Sequence, residues 1–355
     1  KLMSQNTDTI DVRPEEALDQ NNLEKFLYGK LEGSKQSLNI RQFPEGKANL
    51  TYELKYGNYE YVLRRPPLGP VAPGSHDMKR EYAVLSVLQK AFHLAPKAYL
   101  FEDDPTIIGA PFFIMERRNG VVVRTRMPKE FSKIDDAGKQ ISEALVDALA
   151  DLHKVNYSEL GLENFGKPDG FIERQINGWY SRWTKAKHQE NFEIEAIYNW
   201  LISNIPKTNN ISLVHNDYKL DNVMYSYNKP NKLEAVFDWD MCTLGDPLSD
   251  LGSLLCYWSD PDDPPLFGNN NIIPKDETLL TRKELIYRYT KKSGFDTSNI
   301  DFYYVLGIFR LIGILAQIYF RYLRGQTSDK RFAYFGEAIP FIAKFALQII
   351  ENKKI

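Results

Sequence analysis

Cysteine is nearly missing from this chain. Two residues, Cys242 and Cys256, stand among 355, too few for a disulfide framework or a thiolate zinc site, and that scarcity fits a reducing compartment. An excess of either charge is missing too. The 45 basic and 47 acidic side chains leave a net charge of −2, so the composition carries no electrostatic footprint for nucleic acid or an anionic membrane. No internal repeat or low-complexity tract interrupts the sequence. The opening residues, KLMSQNTDTIDVRPEE, contain no apolar core of the kind a secretory leader needs. These absences exclude disulfide-stapled and nucleic-acid-binding classes, and they make the cytoplasm the expected location.

One long apolar run does exist, FYYVLGIFRLIGILAQIYF, from Phe302 to Phe320. It is long enough to cross a bilayer. Arg310 lies near its centre, however, where a charge is costly in lipid. The run is therefore read as a buried helix, with no membrane partner. An apolar fraction of 43% and a charged fraction of 26% are ordinary for a globular protein, and the length suffices for two lobes.

Residues up to about 119 read as strand-rich. Leu50, Tyr52 and Leu54 alternate, and Tyr59 to Leu63 follows a Gly57-Asn58 turn, the pattern of a hairpin. HDMKREYAVLSVLQKAF is helical in period, with Met78, Glu81, Leu85 and Leu88 on one face. PFFIMERRNG reads as a strand running into a connector at Glu116 to Gly120. Beyond it the periodicity is mainly helical, as at Ile141, Leu145, Leu149 and Leu152. The expected class is α+β. Residues 1–119 form a small antiparallel-sheet lobe, and residues 120–355 a larger helical lobe broken by two short strands around SYNKPNK.

The stretch LVHNDYKLDN, residues 213 to 222, packs His215, Asp217, Lys219 and Asn222 behind a short apolar run. AVFDWD follows, ending in Asp238 and Asp240. The spacing His-x-Asp-x-Lys-x-x-Asn matches the catalytic loop of protein kinases and their relatives. Phosphoryl transfer needs a carboxylate near the attacking hydroxyl, a cation near the moving phosphoryl and oxygen ligands for magnesium. Asp217, Lys219, and the pair Asn222 and Asp238 fill those places. His215 is expected to hold the loop backbone.

With VHNDYKLDNVMY and AVFDWDMCTLGDPLSDLGSLL, the chain resembles the aminoglycoside phosphotransferase and choline kinase-like superfamily. No room for an activation segment separates Asp238 from GDPLSDLG, which points to a small-molecule substrate. The stretches QFPEGKANLTYEL, YVLRRPPLGPVAPGSHDMKREYAVL, PFFIMERRNG and FRLIGILAQIYFRYLRGQ resemble most the kinase-like region of certain acyl-CoA dehydrogenase family members. The dehydrogenase part is not in this sequence, so the chain reads as a stand-alone kinase-like protein.

The resemblance implies a bilobal protein-kinase-like fold that uses ATP or GTP with magnesium. It places Val62 at the adenine and Arg64, where a lysine is usual, at the phosphates, with Arg65 as a competing candidate. Glu81 becomes the partner of that cation, and Glu116 and Arg117 the connector whose backbone reads the base. Gly46, the single glycine of PEGKAN, reads equally as an ordinary hairpin turn or a loop over the phosphates. Asp240 is either a further ligand or a solvated strand-end acid. Asp246 and Asp250 are expected to cap helices or brace the loop, and His153 to pack or cap near a helix end. Arg310 and Gln317 either line a substrate pocket or are core polar residues. The acidic stretch SDPDDPP, Ser259 to Pro265, could serve a polycationic substrate or be a solvated loop. The expected activity is phosphotransfer to a hydroxyl of a small molecule, such as a hydroxyacyl-CoA, an amino alcohol or an aminoglycoside. The alternative is a non-catalytic nucleotide-binding scaffold, for which Arg64 in place of lysine is the only sign.

Overall fold

In this computed structural model the described residues are 8–44, 49–69, 76–208, 210–264, 273–327 and 329–352. They divide into two compact units, one from Lys1–Asn119 with Ala235–Met241, the other from Gly120–Glu234 with Cys242–Ile355.

The first unit is built on an alternating strand. Leu50, Tyr52 and Leu54 of β2 (Leu50–Tyr56) are all buried on one face. β3 (Tyr59–Arg65) returns antiparallel, with Tyr56 opposite Tyr59 across the two-residue turn Gly57-Asn58. Gly57 sits at φ 59°, and a Cβ there would lie 2.2 Å from Gln36 Oε1, so the tight hairpin needs glycine at that place. β1 (Asn39–Gln42), β4 (Ala98–Glu102) and β5 (Phe112–Glu116) complete an antiparallel sheet in the order β1-β2-β3-β5-β4. Leu23 and Leu27 of α1 (Gln20–Leu27) join Tyr52, Leu54, Leu63 and Ile114 in one apolar core. α2 (Met78–Leu88) begins at Asp77, whose side chain accepts from Arg80 N. Its buried face is Met78, Glu81, Val84, Leu85 and Leu88, so it carries one acid into the interior.

The second unit is mainly helical. α3 (Ala137–His153) buries Ile141, Leu145, Leu149 and Leu152 completely. α4 (Phe171–Ala186), α5 (Phe192–Ser203), α6 (Leu248–Cys256), α7 (Arg282–Ser293), α8 (Ile300–Leu323) and α9 (Phe335–Asn352) follow. The strands are more numerous than the two foreseen. β6 (Val121–Val122), β8 (Val223–Ser226) and β9 (Lys229–Val236) form one small sheet, and β7 (Ser212–Val214) pairs antiparallel with β10 (Thr243–Gly245) in another. Strands of two or three residues leave too little periodicity to read.

α8 and the stretch Lys330–Asn352 are long and apolar enough to cross a membrane by length and composition alone. The apolar run in α8 lies mostly inside the unit, with Tyr303, Val305, Ile308 and Ile312 at 1% exposure or less. α6 and α8 approach backbone to backbone. A Cβ on Gly252 would lie 2.2 Å from the Tyr303 carbonyl oxygen, and one on Gly307 would lie 2.7 Å from the Gly252 carbonyl oxygen. Backbone cannot yield as a flexible side chain can. Gly252→Ala is therefore expected to lower unfolding free energy by about 3 kcal/mol, read as a shifted urea midpoint at unchanged slope.

Candidate active site

In the second unit, the polar run after β7 makes an irregular turn. Asn216 has φ 64°, in the left-handed region that non-glycine residues rarely enter and asparagine enters most readily. One buried carboxylate holds this turn. Asp250, on α6 and 1% exposed, accepts from the backbone N–H of His215 at 2.6 Å and of Asn216 at 2.8 Å. It also meets His153 Nε2 at 3.1 Å, and His153 Nδ1 meets the Tyr289 hydroxyl at 2.7 Å. Burial opposes the charge of Asp250, but the His153 contact and the loop N–H of His215 outweigh it and hold the carboxyl below its ordinary value. Of the two readings open for Asp250, the brace is the one observed. His215 takes the backbone-holding place expected of it, with Nδ1 accepting from Asp217 N at 3.2 Å. Tyr218, 1% exposed, anchors the far side by donating to Leu145 O at 2.7 Å.

On this support Asp217, Lys219 and Asn222 converge. Lys219 Nζ lies 3.0 and 2.8 Å from the two carboxylate oxygens of Asp217. Asn222 ends the short 3-10 turn Leu220–Asn222, and its Nδ2 donates to Asp217 O at 2.8 Å and Oδ2 at 2.9 Å. That leaves its carbonyl oxygen as the group able to bind a cation. Burial works against the Lys219 charge, but Asp217 and Asp221 outweigh it and raise the ammonium above its usual range. Arg310, from α8, brings Nη2 to 3.8 Å from Asp217 Oδ1.

In the first unit, Arg64 near the end of β3 donates Nη1 to Glu81 Oε1 at 2.8 Å and Nη2 to Asp238 Oδ1 at 2.9 Å. Strand alternation puts Val62, 5% exposed, on the same face. Asp238 is held at φ 67°, a left-handed conformation that aspartate tolerates better than most residues. The turn around it is fixed by Trp239, which is 1% exposed. Its backbone N–H donates to Glu81 Oε1 at 3.3 Å and its Nε1 to Val236 O at 2.7 Å. Burial raises Glu81 to about 7, with Arg64 pulling against it and Asp238 and Asp240 adding to the rise. Burial also opposes the charge on Arg64, yet Glu81 and Asp238 outweigh it and hold the guanidinium protonated.

Arg65, the competing cation, donates to the carbonyl oxygens of Ile108 at 3.0 Å and Pro66 at 3.3 Å. It is committed to backbone, and Arg64 is the arginine that sits among acids. Asp240 contributes charge to the Arg64 and Glu81 pair. Glu116 accepts from Lys97 N at 3.1 Å and pairs with Arg118 at 2.9 Å. Arg117 pairs with Asp8 at 2.6 Å and Glu53 at 3.3 Å. These two side chains, and the Glu116 backbone N–H, which donates to Lys97 O at 2.8 Å, are taken up in the first unit's own packing. Gly46 lies outside the described residues.

Two sequence features resolve into structure. Asp246 accepts from Leu248 N at 3.0 Å and from the Tyr303 hydroxyl at 2.6 Å, tying the start of α6 to α8. In the acidic stretch from Ser259, Arg282 pairs with Asp263 at 2.7 Å and its backbone N–H donates to Asp260 at 3.0 Å. Asp260 and Asp263 thus staple α6 to α7, while Pro261 and Asp262 between them are exposed; Pro265 lies outside the described residues. Residue spacing gave no sign of Arg282 as its partner.

Among the described residues no group of three or more His, Cys, Asp and Glu side chains is arranged to hold a metal ion. Each unit holds one candidate oxygen ligand, the Asn222 amide oxygen in the second and the Asp238 carboxylate in the first. Hard oxygen donors of that kind fit magnesium, which takes one or two protein oxygens beside phosphate and water. Arg64→Lys tests the other half. One ammonium cannot reproduce the forked contact to Glu81 and Asp238, so unfolding free energy is expected to fall by about 1–2 kcal/mol, measured by urea titration.

A model of the phosphotransferase enzyme family matches residues 39–272. The chain belongs to that family. Its loop brings a carboxylate, an ammonium and an amide together at Asp217, Lys219 and Asn222. The chain is 32% identical over 352 residues to acyl-CoA dehydrogenase family member 11 of Pongo abelii, covering 97% of this chain. It spans 44% of that relative's length. A crystal structure from Ralstonia eutropha JMP134, provisionally named an aminoglycoside phosphotransferase, superimposes with a TM-score of 0.81 at 26% identity, covering 95% of this chain and 99% of that one. A thermostable mutant of an aminoglycoside phosphotransferase, in ternary complex with ADP and hygromycin B, matches with a TM-score of 0.58 at 14% identity over 91% of this chain and 98% of its own. The α+β, kinase-like fold class expected from the sequence is the one observed.

Proposed function

We propose that the protein transfers the γ-phosphoryl group of ATP to a hydroxyl of a small molecule, with magnesium. The observation that carries this reading is the convergence on Asp217 of Lys219 at 2.8 Å and Asn222 Nδ2 at 2.9 Å within a family of phosphotransferases. In the reaction, Asp217 accepts the proton of the acceptor hydroxyl as its oxygen bonds to phosphorus. The bond from phosphorus to the bridging oxygen breaks, and ADP leaves. Lys219 offsets charge on the moving group. Asn222 and Asp238 would each offer an oxygen to magnesium, which would supply charge neutralisation at the phosphates. Arg64, backed by Glu81, would contact phosphate. A structure of the same fold in complex with ADP supports ATP as the nucleotide.

For the acceptor, the likeness to an acyl-CoA dehydrogenase family member favours a hydroxyacyl compound over an amino alcohol or aminoglycoside. One observation favours a second reading, a nucleotide-binding scaffold: both hands of Arg64 are already on Glu81 and Asp238. The deciding experiment is magnesium-dependent ADP release across hydroxyacyl thioesters, amino alcohols, sugars and aminoglycosides. Acceptor-stimulated release supports the enzyme. Tight ATP binding with no release on any acceptor supports the scaffold.

A further inference from the structure

Arg310 is an expensive residue in its place. It lies mid-way along an apolar helix at 9% exposure, and its Nε is buried without a hydrogen-bond partner. A buried guanidinium is normally matched by a carboxylate or several acceptors. The nearest carboxylate is Asp217, at 3.8 Å, beyond hydrogen-bond reach. That carboxylate already accepts from Lys219 and Asn222. What Arg310 does have is an aromatic face. Its guanidinium stands 5.4 Å over the Trp179 ring, and that of Arg182 stands 4.5 Å over the same ring. Burial and the charge of Arg310 both lower the pKa of Arg182. Among the described residues Arg182 has no ion-pair partner. Two like charges sharing one ring repel each other, so neither compensates the other.

A polycationic acceptor does not suit this surface. Two acids of the nearby acidic stretch, Asp260 and Asp263, are spent on Arg282. The guanidinium surplus beside Asp217 calls instead for negative charge.

We infer that the acceptor carries an anionic oxygen group, a carboxylate or a phosphate, a few bonds from the hydroxyl that is phosphorylated, and that Arg310 with Arg182 binds that group. The 3.8 Å between Arg310 and Asp217 sets the short separation of anion and hydroxyl. The inference rests on the phosphotransferase reading for the hydroxyl's place at Asp217. The binding itself needs no turnover.

The test is calorimetric titration of the full chain with glycerol 3-phosphate and 3-hydroxybutyrate, beside glycerol as the neutral probe and choline as the cationic one. Wild type is expected to bind the two anions at least about tenfold more tightly than glycerol, the strength of a charge-assisted contact. Arg310→Gln is expected to erase that preference, Arg310→Lys to keep part of it, and Arg182→Gln, at an exposed position, to weaken it about threefold. Equal binding of anions and glycerol by wild type, a preference for choline, or an Arg310→Gln protein that folds and keeps its anion preference would each overturn the inference. If Arg310→Gln does not fold, Arg182→Gln decides: unchanged anion affinity overturns the inference, a weakened one supports it. Which anion binds separates the two sources of charge. Anion binding that depends on Arg310, with ADP release indifferent to Asp217→Asn, would sink the kinase reading and leave the anion site standing.

Discussion

Asp217→Asn is expected to cut acceptor-dependent ADP release by about a hundredfold to ten-thousandfold, the usual worth of a positioned general base, with nucleotide affinity held within about twofold. Asparagine fills the same volume and can still accept from Lys219 through its one carbonyl oxygen. It cannot take a proton, and it removes the charge that Lys219 meets at 2.8 and 3.0 Å. The loop should keep its shape, since its backbone hangs on Asp250 and not on Asp217. A loss in kcat with unchanged ATP affinity by fluorescence titration is therefore the signature of lost chemistry. Equal acceptor-dependent ADP release from mutant and wild type would remove Asp217 from the reaction.

The largest stability effect is expected at Asp250. Asp250→Ala strands the backbone N–H groups of His215 and Asn216 and one nitrogen of His153, all inside the protein. Breaking a buried charged network in this way costs about 3–5 kcal/mol, readable in a urea titration. The pH dependence carries a definite sign. Asp250 is held below its ordinary value of 3.8, so the folded state binds its proton more weakly than the unfolded chain. The stability it supplies is fully present above that ordinary value and is lost as pH falls through the depressed one. Acid unfolding of Asp250→Asn should lose that share of the slope; an unchanged acid limb would contradict the depressed value.

Much of this was legible in the sequence because it is local. The spacing of Asp217, Lys219 and Asn222 places three functional groups on one short turn, and the alternation of Leu50, Tyr52 and Leu54 identifies a half-buried strand. What could not be read depends on distance along the chain. Arg64 meets Asp238 across 174 positions, and Trp239 meets Glu81 across 158. No periodicity reports such a pairing. The conformations of Asn216 and Asp238 were hidden for another reason. Asparagine and aspartate occur in most loops, and only the backbone shows that these two stand in the left-handed region. Arg282 was missed because a lone arginine at the start of a polar helix looks solvated until its acids are found beneath it.

α8 gathers several of these features on one side. Tyr303 meets Asp246, Gly307 lies against Gly252, Arg310 reaches toward Asp217, and Gly313 lies against Trp179. Steps of three and four residues keep all four on a single stripe. If Arg310 binds the acceptor's anion as proposed, the helix acts as a ruler whose first half is committed to support and whose second half combines recognition at Arg310 with the packing of Ile312, Gly313 and Ala316. Exchanging Arg310 alone should then alter selectivity while both glycine contacts keep the helix seated. Inserting one residue between 307 and 310 would instead turn the recognising half by about 100° and uncouple the two tasks at a stroke.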